Sequence, residues 1–445
     1  MEWYAALGFL LGLILLFMFI GVPVALAFLA ANMVGAAYFM GGNGDLFTQM
    51  SRGIGQLANN AIPTVTTFNL MPVPMFLLMG EIFFFTGLAQ RMFTAIDKLM
   101  GRIPGRLSFV TVAGGTGFAT LSGSSMGSTA LLGSLMVPEM QARGYKKHMA
   151  IGPILGTGGL AMLIPPSALA VLLATLANLD VGKLLIAGIV PGMLLACLYV
   201  VLILVMCLID PNAAPAYEVE SVSWADKGKL FIKEVLPMVS VVVGVILLIL
   251  NGWSTPSESA AFGCVGVMLL AAIYRKLTVK NMIASVEGAL RVTVMALLII
   301  FGSATFSSLL AFSGASAGLI NWATGFDLAP IIMLLVMFGI LLVLGMFMDQ
   351  LSMMLLTVPI FFPLAQTLDF DLIWFAVITL LALEISFTTP PFGLLLFVMK
   401  GVSAPGTTMR DIYLAALPFI GCSMLLVGLL IVWPEIALWL PSLGE

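Results

Sequence analysis

Charge is scarce in this chain. Only 9% of its 445 residues are Asp, Glu, Lys or Arg, and it has one histidine and four cysteines. Each shortage excludes something. A net charge of −3 without a basic cluster offers a nucleic acid nothing to hold, so no nucleic-acid partner is expected. Cys197, Cys207, Cys264 and Cys422 stand singly in apolar segments without C-x-x-C spacing. They read as small packing residues rather than metal ligands or a disulfide framework. His148, beside Lys146 and Lys147, reads as interfacial, and a zinc or iron site would need ligands that this chain does not supply. Strand-like alternation is missing as well, which argues against a barrel.

What is present is apolar sequence: 61% of residues are hydrophobic. Apolar runs of about 20 residues recur, each long enough to cross a bilayer. The expected fold is therefore an all-α polytopic membrane protein embedded in lipid. The first run is preceded only by Glu2 and lacks a small-residue cleavage site, so it reads as a retained span.

Two polar stretches interrupt this background. Ser122-Gly123-Ser124-Ser125 lies in TLSGSSMGSTALLGS and is followed by Pro165-Pro166 in LIPPSA. Gly345 to Ser352 lies in GMFMDQLS and is followed by Pro390-Pro391 in FTTPPFG. Asp349 falls 225 positions after Ser124, Pro390 falls 225 after Pro165, and Pro363 falls 225 after Pro138. A shared frame implies two copies of one unit, residues 1–215 and 216–445. Each copy is expected to hold about five spans and one re-entrant hairpin. The hairpins fall at about 107–142 and 330–366, and the broken helices that follow at about 147–178 and 371–402. For 107–142 the alternative is two full spans. The hairpin is preferred because each arm has only about 15 residues and irregular backbone at bilayer depth needs protein or a water-filled cavity beside it.

Orientation follows from charge. Arg102 and Arg106 precede the first hairpin and Arg143, Lys146 and Lys147 follow it, which places both ends in the cytoplasm. The matched positions of the second half carry Asp327, Asp369 and Asp371, as an inverted copy would. Other spans are expected at 4–20, 24–40, 63–90 (interrupted at Pro72 and Pro74), 184–209, 235–252, 257–274, 288–315 and 408–434. Residues 41–61 are expected to run along the membrane surface, and 210–233 to be a polar cytoplasmic linker. Inverted repeats with discontinuous helices are the architecture of many secondary transporters, whose sites lie near the midplane.

The breaks have their own chemistry. Proline lacks an N–H, so Pro165-Pro166 should free the carbonyls of Ala161 and Met162, and Pro390-Pro391 those of Ser386 and Phe387. A hard cation such as sodium satisfies such oxygens. Ser122, Ser124 and the neighbouring carbonyls add oxygens at one break; Asp349, Thr388 and Thr389 add them at the other. Helices that start just after each tip aim their amides at the same space, which favours an anion. Ser122, Gly123, Ser124, Ser125, Thr388 and Thr389 are thus the candidate substrate contacts. Taken alone, a Gly/Ser cluster is more often helix packing and a proline pair more often a kink. An intramembrane carboxylate such as Asp349 is functional by default, and Glu384 and Glu81 are weaker candidates of that kind. No nucleophile–base or metal set points to an enzyme; a passive channel is the other class left open.

At these residues the chain resembles the large membrane subunit of tripartite ATP-independent periplasmic (TRAP) transporters. The resemblance covers nearly the whole chain. It runs through GVPVALAF at 21–28, PVPMFLLMGE at 72–81, SGSSMGSTALLGSLMVPEMQARGY at 122–145 and IPPSALAVLLATLANLDVGKLLIAGIVPG at 164–192. It continues through GMFMDQLSMMLLTVPIFFP at 345–363, TTPPFGLLLFVMKG at 388–401 and WPEIALWLP at 433–441. The resemblance implies an elevator-type, sodium-coupled importer of an organic acid in a bacterial or archaeal cytoplasmic membrane. It also implies a small membrane subunit and a soluble periplasmic substrate-binding protein as partners. Carried over by position, one sodium site falls on Ser122, Ser124, Ala161, Ile164 and Pro166. The other falls on Gly345, Asp349, Thr389 and Pro391, joined by the Ser386 carbonyl argued above. Family members often carry an acidic residue or alanine after SGS-x-x, where this chain has Gly127-Ser128-Thr129. Some members are fused to the small subunit; this chain starts almost at its first matching span, so a separate small subunit is expected. The runner-up is a standalone sodium/dicarboxylate symporter of similar design. The sequence leaves sialic acid, a C4-dicarboxylate, another keto or sugar acid and a sulfonate open as substrates.

Overall fold

A computed structural model describes residues 2–42, 45–101, 103–122, 125–216, 223–326, 328–404 and 406–443. Their regular elements are helices. α1 (Trp3–Phe19) and α2 (Val24–Met40) are short apolar helices that fold back on each other where Gly21 takes a left-handed φ of 91°. Residues 41–61 supply most of α3 (Leu46–Val65), an amphipathic helix packed against α2; a Cβ on Gly53 would strike the Ala36 backbone.

α4 (Pro72–Phe85) and α5 (Leu88–Leu99) form one bent pair at 65°. The break expected at Pro72 and Pro74 is not there. Both prolines sit in the first turn of α4, where no intrahelical N–H is required, and the chain turns instead at Gly87, φ 72°. Then come α6 (Arg106–Ser122), α7 (Ser125–Ala142), α8 (Lys147–Leu163), α9 (Ala168–Leu176) and α10 (Val181–Ile209).

The segment 210–233, expected as a polar linker, is helical in its second part. α11 (Trp224–Leu230) runs through a π-helical turn at Phe231–Val235 into α12 (Leu236–Leu250), so half of that segment is helical; residues 217–222 lie outside the described residues. α13 (Pro256–Ile273), α14 (Val279–Phe312) and α15 (Ala315–Thr324) follow, then α16 (Pro330–Gly345), α17 (Gln350–Thr367), α18 (Leu372–Thr388), α19 (Leu394–Val402), α20 (Met409–Val432) and α21 (Glu435–Ser442). Among the described residues, 6 helices are long and apolar enough to cross a membrane, or 8 if each of the two bent pairs is one span. Their outer faces carry exposed apolar side chains such as Leu204, Leu208, Phe262 and Leu425, which suit lipid rather than water.

Helix limits recur in the frame read from the prolines. α17 starts and ends 225 residues after α7, and α18 does so after α8. Gly87 and Gly314, ahead of α5 and α15, both take left-handed φ. The centre of the molecule is α8 and α18: Met149–Leu163 and Trp374–Thr388 are buried without interruption, and the two helices touch.

The two ends of the α6–α7 pair are fastened to one place. Gly105 N–H donates to the Ala214 carbonyl at 3.1 Å and Lys146 N–H to that of Ala213 at 2.8 Å. Buried Arg106 pairs with Asp97 at 2.9 Å, and Lys146 pairs with Asp210, holding that carboxyl below its usual range. Arg102 and Asp327 lie outside the described residues.

Candidate functional site

The first break is closed off from solvent. α8 ends at Leu163, α9 starts at Ala168 at 46° to it, and the Pro165-Pro166 bond between them is cis. Ile164 N–H still reaches the Leu160 carbonyl at 3.1 Å, but the next two residues have no N–H to offer Ala161 and Met162. Ser167 then caps α9, its hydroxyl accepting from Ala170 N–H at 3.2 Å. Ala161, Ile164 and Pro166 are all buried.

Facing this break is the start of α7. Gly123, Ser124 and the Ser122 side chain lie outside the described residues, so the SGSS tip is represented by Ser125. Ser125 is buried, and its hydroxyl has no hydrogen-bond partner; the same holds one turn on for Thr129, which sequence reasoning passed over. Both lie against Gly158 of α8, where an added Cβ would come 2.6 Å from Thr129 Oγ1 and 3.5 Å from the Ser125 carbonyl oxygen. The glycine keeps room between α7 and the face of α8 that carries Ala161 one turn later.

The second break is built differently. α16 ends at Gly345, which meets α18 so closely that a Cβ there would overlap the Ser386 side chain. Gly345 and Ser386 are thus brought together. Asp349, half-buried, caps α17: it accepts from Leu351 N–H at 3.1 Å, Ser352 N–H at 3.2 Å and the Ser352 hydroxyl. It therefore anchors the start of a helix, with lone pairs still available beyond those bonds. The hydroxyls of Ser386, Thr388 and Thr389 donate back into α18, to Leu383, Ile385 and Ile385 carbonyls.

One expectation fails here. The Ser386 carbonyl is not left without a donor, because Thr389 N–H closes a tighter turn onto it at 3.2 Å. The chain after it is fastened too: Gly393 N–H donates to the Thr389 carbonyl at 3.0 Å and the Tyr413 hydroxyl to the exposed Pro391 carbonyl at 2.8 Å. Only Phe387 keeps a carbonyl that Pro391 cannot serve.

Two further features link the two halves of the chain. The half-helix after each proline pair packs on a helix of the other half, α19 on α7 and α9 on α17. Gln350, in the first turn of α17, is buried with its amide nitrogen unpartnered. Gln350 stands 225 positions after Ser125, so positions one such frame apart each present an unsatisfied polar side chain. The repeat frame was the signal for Gln350, and reading it only at prolines and the aspartate missed it.

Broken, fully buried helices crossed by half-helices, with unpaired polar groups at the helix starts, define a multi-pass membrane transport protein. The fold agrees: the YdaH transporter of Alcanivorax borkumensis superposes with a TM-score of 0.65 at 13% identity, covering 96% of this chain and 98% of that one. MtrF of Neisseria gonorrhoeae, described as one of a class of antimetabolite efflux pumps, gives 0.63 at 12% identity, covering 92% and 94%. Residues 11–436 match the family model of the DctM component of tripartite ATP-independent periplasmic transporters, and the chain belongs to that family. A C4-dicarboxylate TRAP large permease, DctM of Pseudomonas aeruginosa, is 33% identical over 87% of this chain and 89% of its own. The sialic acid large permease SiaM of Vibrio cholerae is 28% identical over 88% and 91%. The isethionate permease DctMQ of Oleidesulfovibrio alaskensis is 28% identical over 90% of this chain and 61% of its own length. These relatives are transport permeases, and the chain is a permease subunit rather than an enzyme.

Proposed function

We propose that this permease imports a small organic acid together with sodium across a bacterial inner membrane. The observation that carries the reading is the pair Ser125 and Gln350: buried, unpartnered, and in the first turns of α7 and α17. An unpaired hydroxyl and an unpaired amide nitrogen are hydrogen-bond donors, and each sits with the free amides of a helix start. That set suits a carboxylate or another small oxyanion. C4-dicarboxylate, sialic acid and isethionate, named for relatives, are all of that kind. Within the class, the substrate follows from the partner that delivers it.

Sodium supplies the opposite charge. One ion is assigned to Ser122, Ser124 and the carbonyls of Ala161, Ile164 and Pro166. The other is assigned to Gly345, Asp349, Ser386, Thr389 and Pro391. A cation beside the anion lowers the cost of holding either in a low-dielectric site, so half-loaded forms are disfavoured. That is a physical basis for symport. Residues 1–215 and 216–445 act as inverted repeats, with α6–α7 and α16–α17 as re-entrant hairpins that move with α8 and α18 as one elevator body. A separate small membrane subunit and a soluble periplasmic binding protein complete the system.

The test is uptake into proteoliposomes holding this subunit and its small partner, with and without the binding protein encoded beside them. Expected is accumulation only under an inward sodium gradient and only with the binding protein present. Sodium-driven uptake without the binding protein would favour a standalone symporter, and flux indifferent to the gradient would mean a channel.

A further inference from the structure

Away from the two breaks lies a cavity of about 450 Å³, walled by α5, the turn from α11 into α12, and the end of α13. α5 is amphipathic. Its Ala89, Met92 and Phe93 are buried, whereas Gln90, Thr94 and Lys98, one turn apart, are exposed and line the cavity. The far corner is already fastened. Arg91 donates to both carboxylate oxygens of Glu234 at 2.9 and 2.7 Å, and its guanidinium lies 4.5 Å from the centre of the Tyr274 ring. The Tyr274 hydroxyl donates in turn to the Lys233 carbonyl. Arg91 is therefore committed to a carboxylate and frames the cavity rather than standing free in it.

Lys98 and Lys276 differ from it. Both line the cavity, and among the described residues neither ammonium has an ion pair or a hydrogen bond. The Thr94 hydroxyl is spent on the Gln90 carbonyl at 2.9 Å, while the Gln90 amide remains as a neutral donor. Three cations against one carboxylate leave the lining with two positive charges in excess. A fitting ligand carries negative charge and several acceptor oxygens, which is the chemistry of a phosphate group. The surroundings say where that phosphate comes from. In the turns that supply Leu230, Glu234 and Lys276, the apolar side chains of Phe231, Ile232 and Ile273 are 44%, 62% and 71% exposed. A free phosphate has no use for them, but acyl chains do. Lys227, Lys229, Arg275 and Lys280 crowd the same end, the excess of Lys and Arg that marks a cytoplasmic face. Basic pockets between membrane helices on that face suit anionic lipid headgroups.

We propose that this cavity holds the phosphate of an anionic phospholipid such as a phosphatidylglycerol. Lys98 and Lys276 are its charged contacts and Gln90 its neutral donor, with Arg91 kept in place beside them by Glu234. The headgroup reaches from α5 to the end of α13, and the acyl chains lie over Phe231, Ile232 and Ile273. The site is separate from both proline breaks, and the inference depends on neither sodium coupling nor the identity of the substrate.

Native mass spectrometry of the full chain in neutral detergent tests it, with phosphatidylglycerol or phosphatidylcholine of the same acyl chains titrated in. One phosphatidylglycerol is expected to bind in preference to phosphatidylcholine. Lys98→Gln combined with Lys276→Gln should weaken that binding about thirtyfold, about fivefold for each charge removed. Lys280→Gln, at an exposed lysine outside the cavity, should leave it unchanged. Equal affinity for the two lipids overturns the proposal. So does an equal loss in Lys280→Gln, or a double variant that binds as tightly as the unmodified protein. Inorganic phosphate at matched ionic strength separates the two sources of the same chemistry. It should displace no lipid; displacement would assign the cavity to a free anion and overturn the lipid reading. Should the double variant fail to yield folded protein, Lys276→Gln alone decides: a fivefold loss supports the proposal and no loss overturns it. Neither sodium nor substrate enters the measurement, so this reading and the symport reading fail separately.

Discussion

The two proline breaks share a sequence pattern and a cis bond, yet they are finished differently. At Pro165-Pro166 everything is buried, and the residues ahead of the break lose their donors with only Ser167 added beyond it. At Pro390-Pro391 the chain is partly exposed, and Thr389, Gly393 and Tyr413 donate into the gap. Proline removes donors in both places, but neighbouring groups decide whether the carbonyls stay bare. The first break is therefore the better built for a desolvated cation. The second is tied to its surroundings by bonds that must rearrange or share their oxygens.

Asp349 offers the sharpest way to break this contrast, because it both caps α17 and carries the charge. Asp349→Ala should remove about 1 kcal/mol of capping as well as the charge. Asp349→Asn keeps a capping oxygen and loses only the charge. Half-maximal sodium for uptake should rise at least about tenfold in Asp349→Asn, or about 1.4 kcal/mol, while its melting temperature stays near that of the unmodified protein. An unchanged sodium dependence would make Asp349 a cap and nothing else.

The matched pair Ser125 and Gln350 comes next. Removing one donor from a buried anion should cost about 1–3 kcal/mol of binding, so Ser125→Ala and Gln350→Leu should each weaken substrate affinity by about fivefold or more. Neither should reduce stability, because each deletes an unpartnered polar atom in the free protein. A lower melting temperature with normal affinity would mean that these groups serve packing.

Smaller effects test the second break and the fastened end of the hairpin pair. Tyr413→Phe removes one bond to the Pro391 carbonyl, a loss of about 0.5–1.5 kcal/mol that thermal unfolding should register. If that bond must open for transport, uptake rises while stability falls. Last is Asp210, whose folded pKa lies below its unfolded value because of Lys146. Its contribution is therefore present above the ordinary carboxylate pKa of about 3.9 and is lost as pH falls through the lowered folded value. The melting temperature of Asp210→Asn should trail that of the unmodified protein slightly at neutral pH and meet it in strong acid. A gap that persists there would mean that the Lys146 pair contributes nothing.

Much of this was legible because membrane helices advertise themselves. The limits of α1, α2, α12 and α13 fell within a residue or two of the expected spans, since uniform apolarity ends where polar or turn residues begin. Pro72 and Pro74 misled because a proline breaks a helix interior but starts a helix comfortably, and the sequence does not say which turn it occupies. The 225-residue frame was read at prolines and an aspartate, and the same frame held Ser125 opposite Gln350. The fate of the Ser386 carbonyl was beyond reach, because it depends on a backbone N–H three residues away closing a tighter turn.

By itself the sequence determined that the chain is helical, membrane-embedded and broken at two proline pairs. Those properties follow from local chemistry: apolar runs in lipid must satisfy their own backbone, and proline cannot. Only the tertiary structure decided which oxygens stay unpaired, that α8 and α18 lie at the centre, and that Glu384 meets Gly159 there. Partners for a buried polar atom come from residues far away in the chain, and their arrangement exists only once the helices have packed.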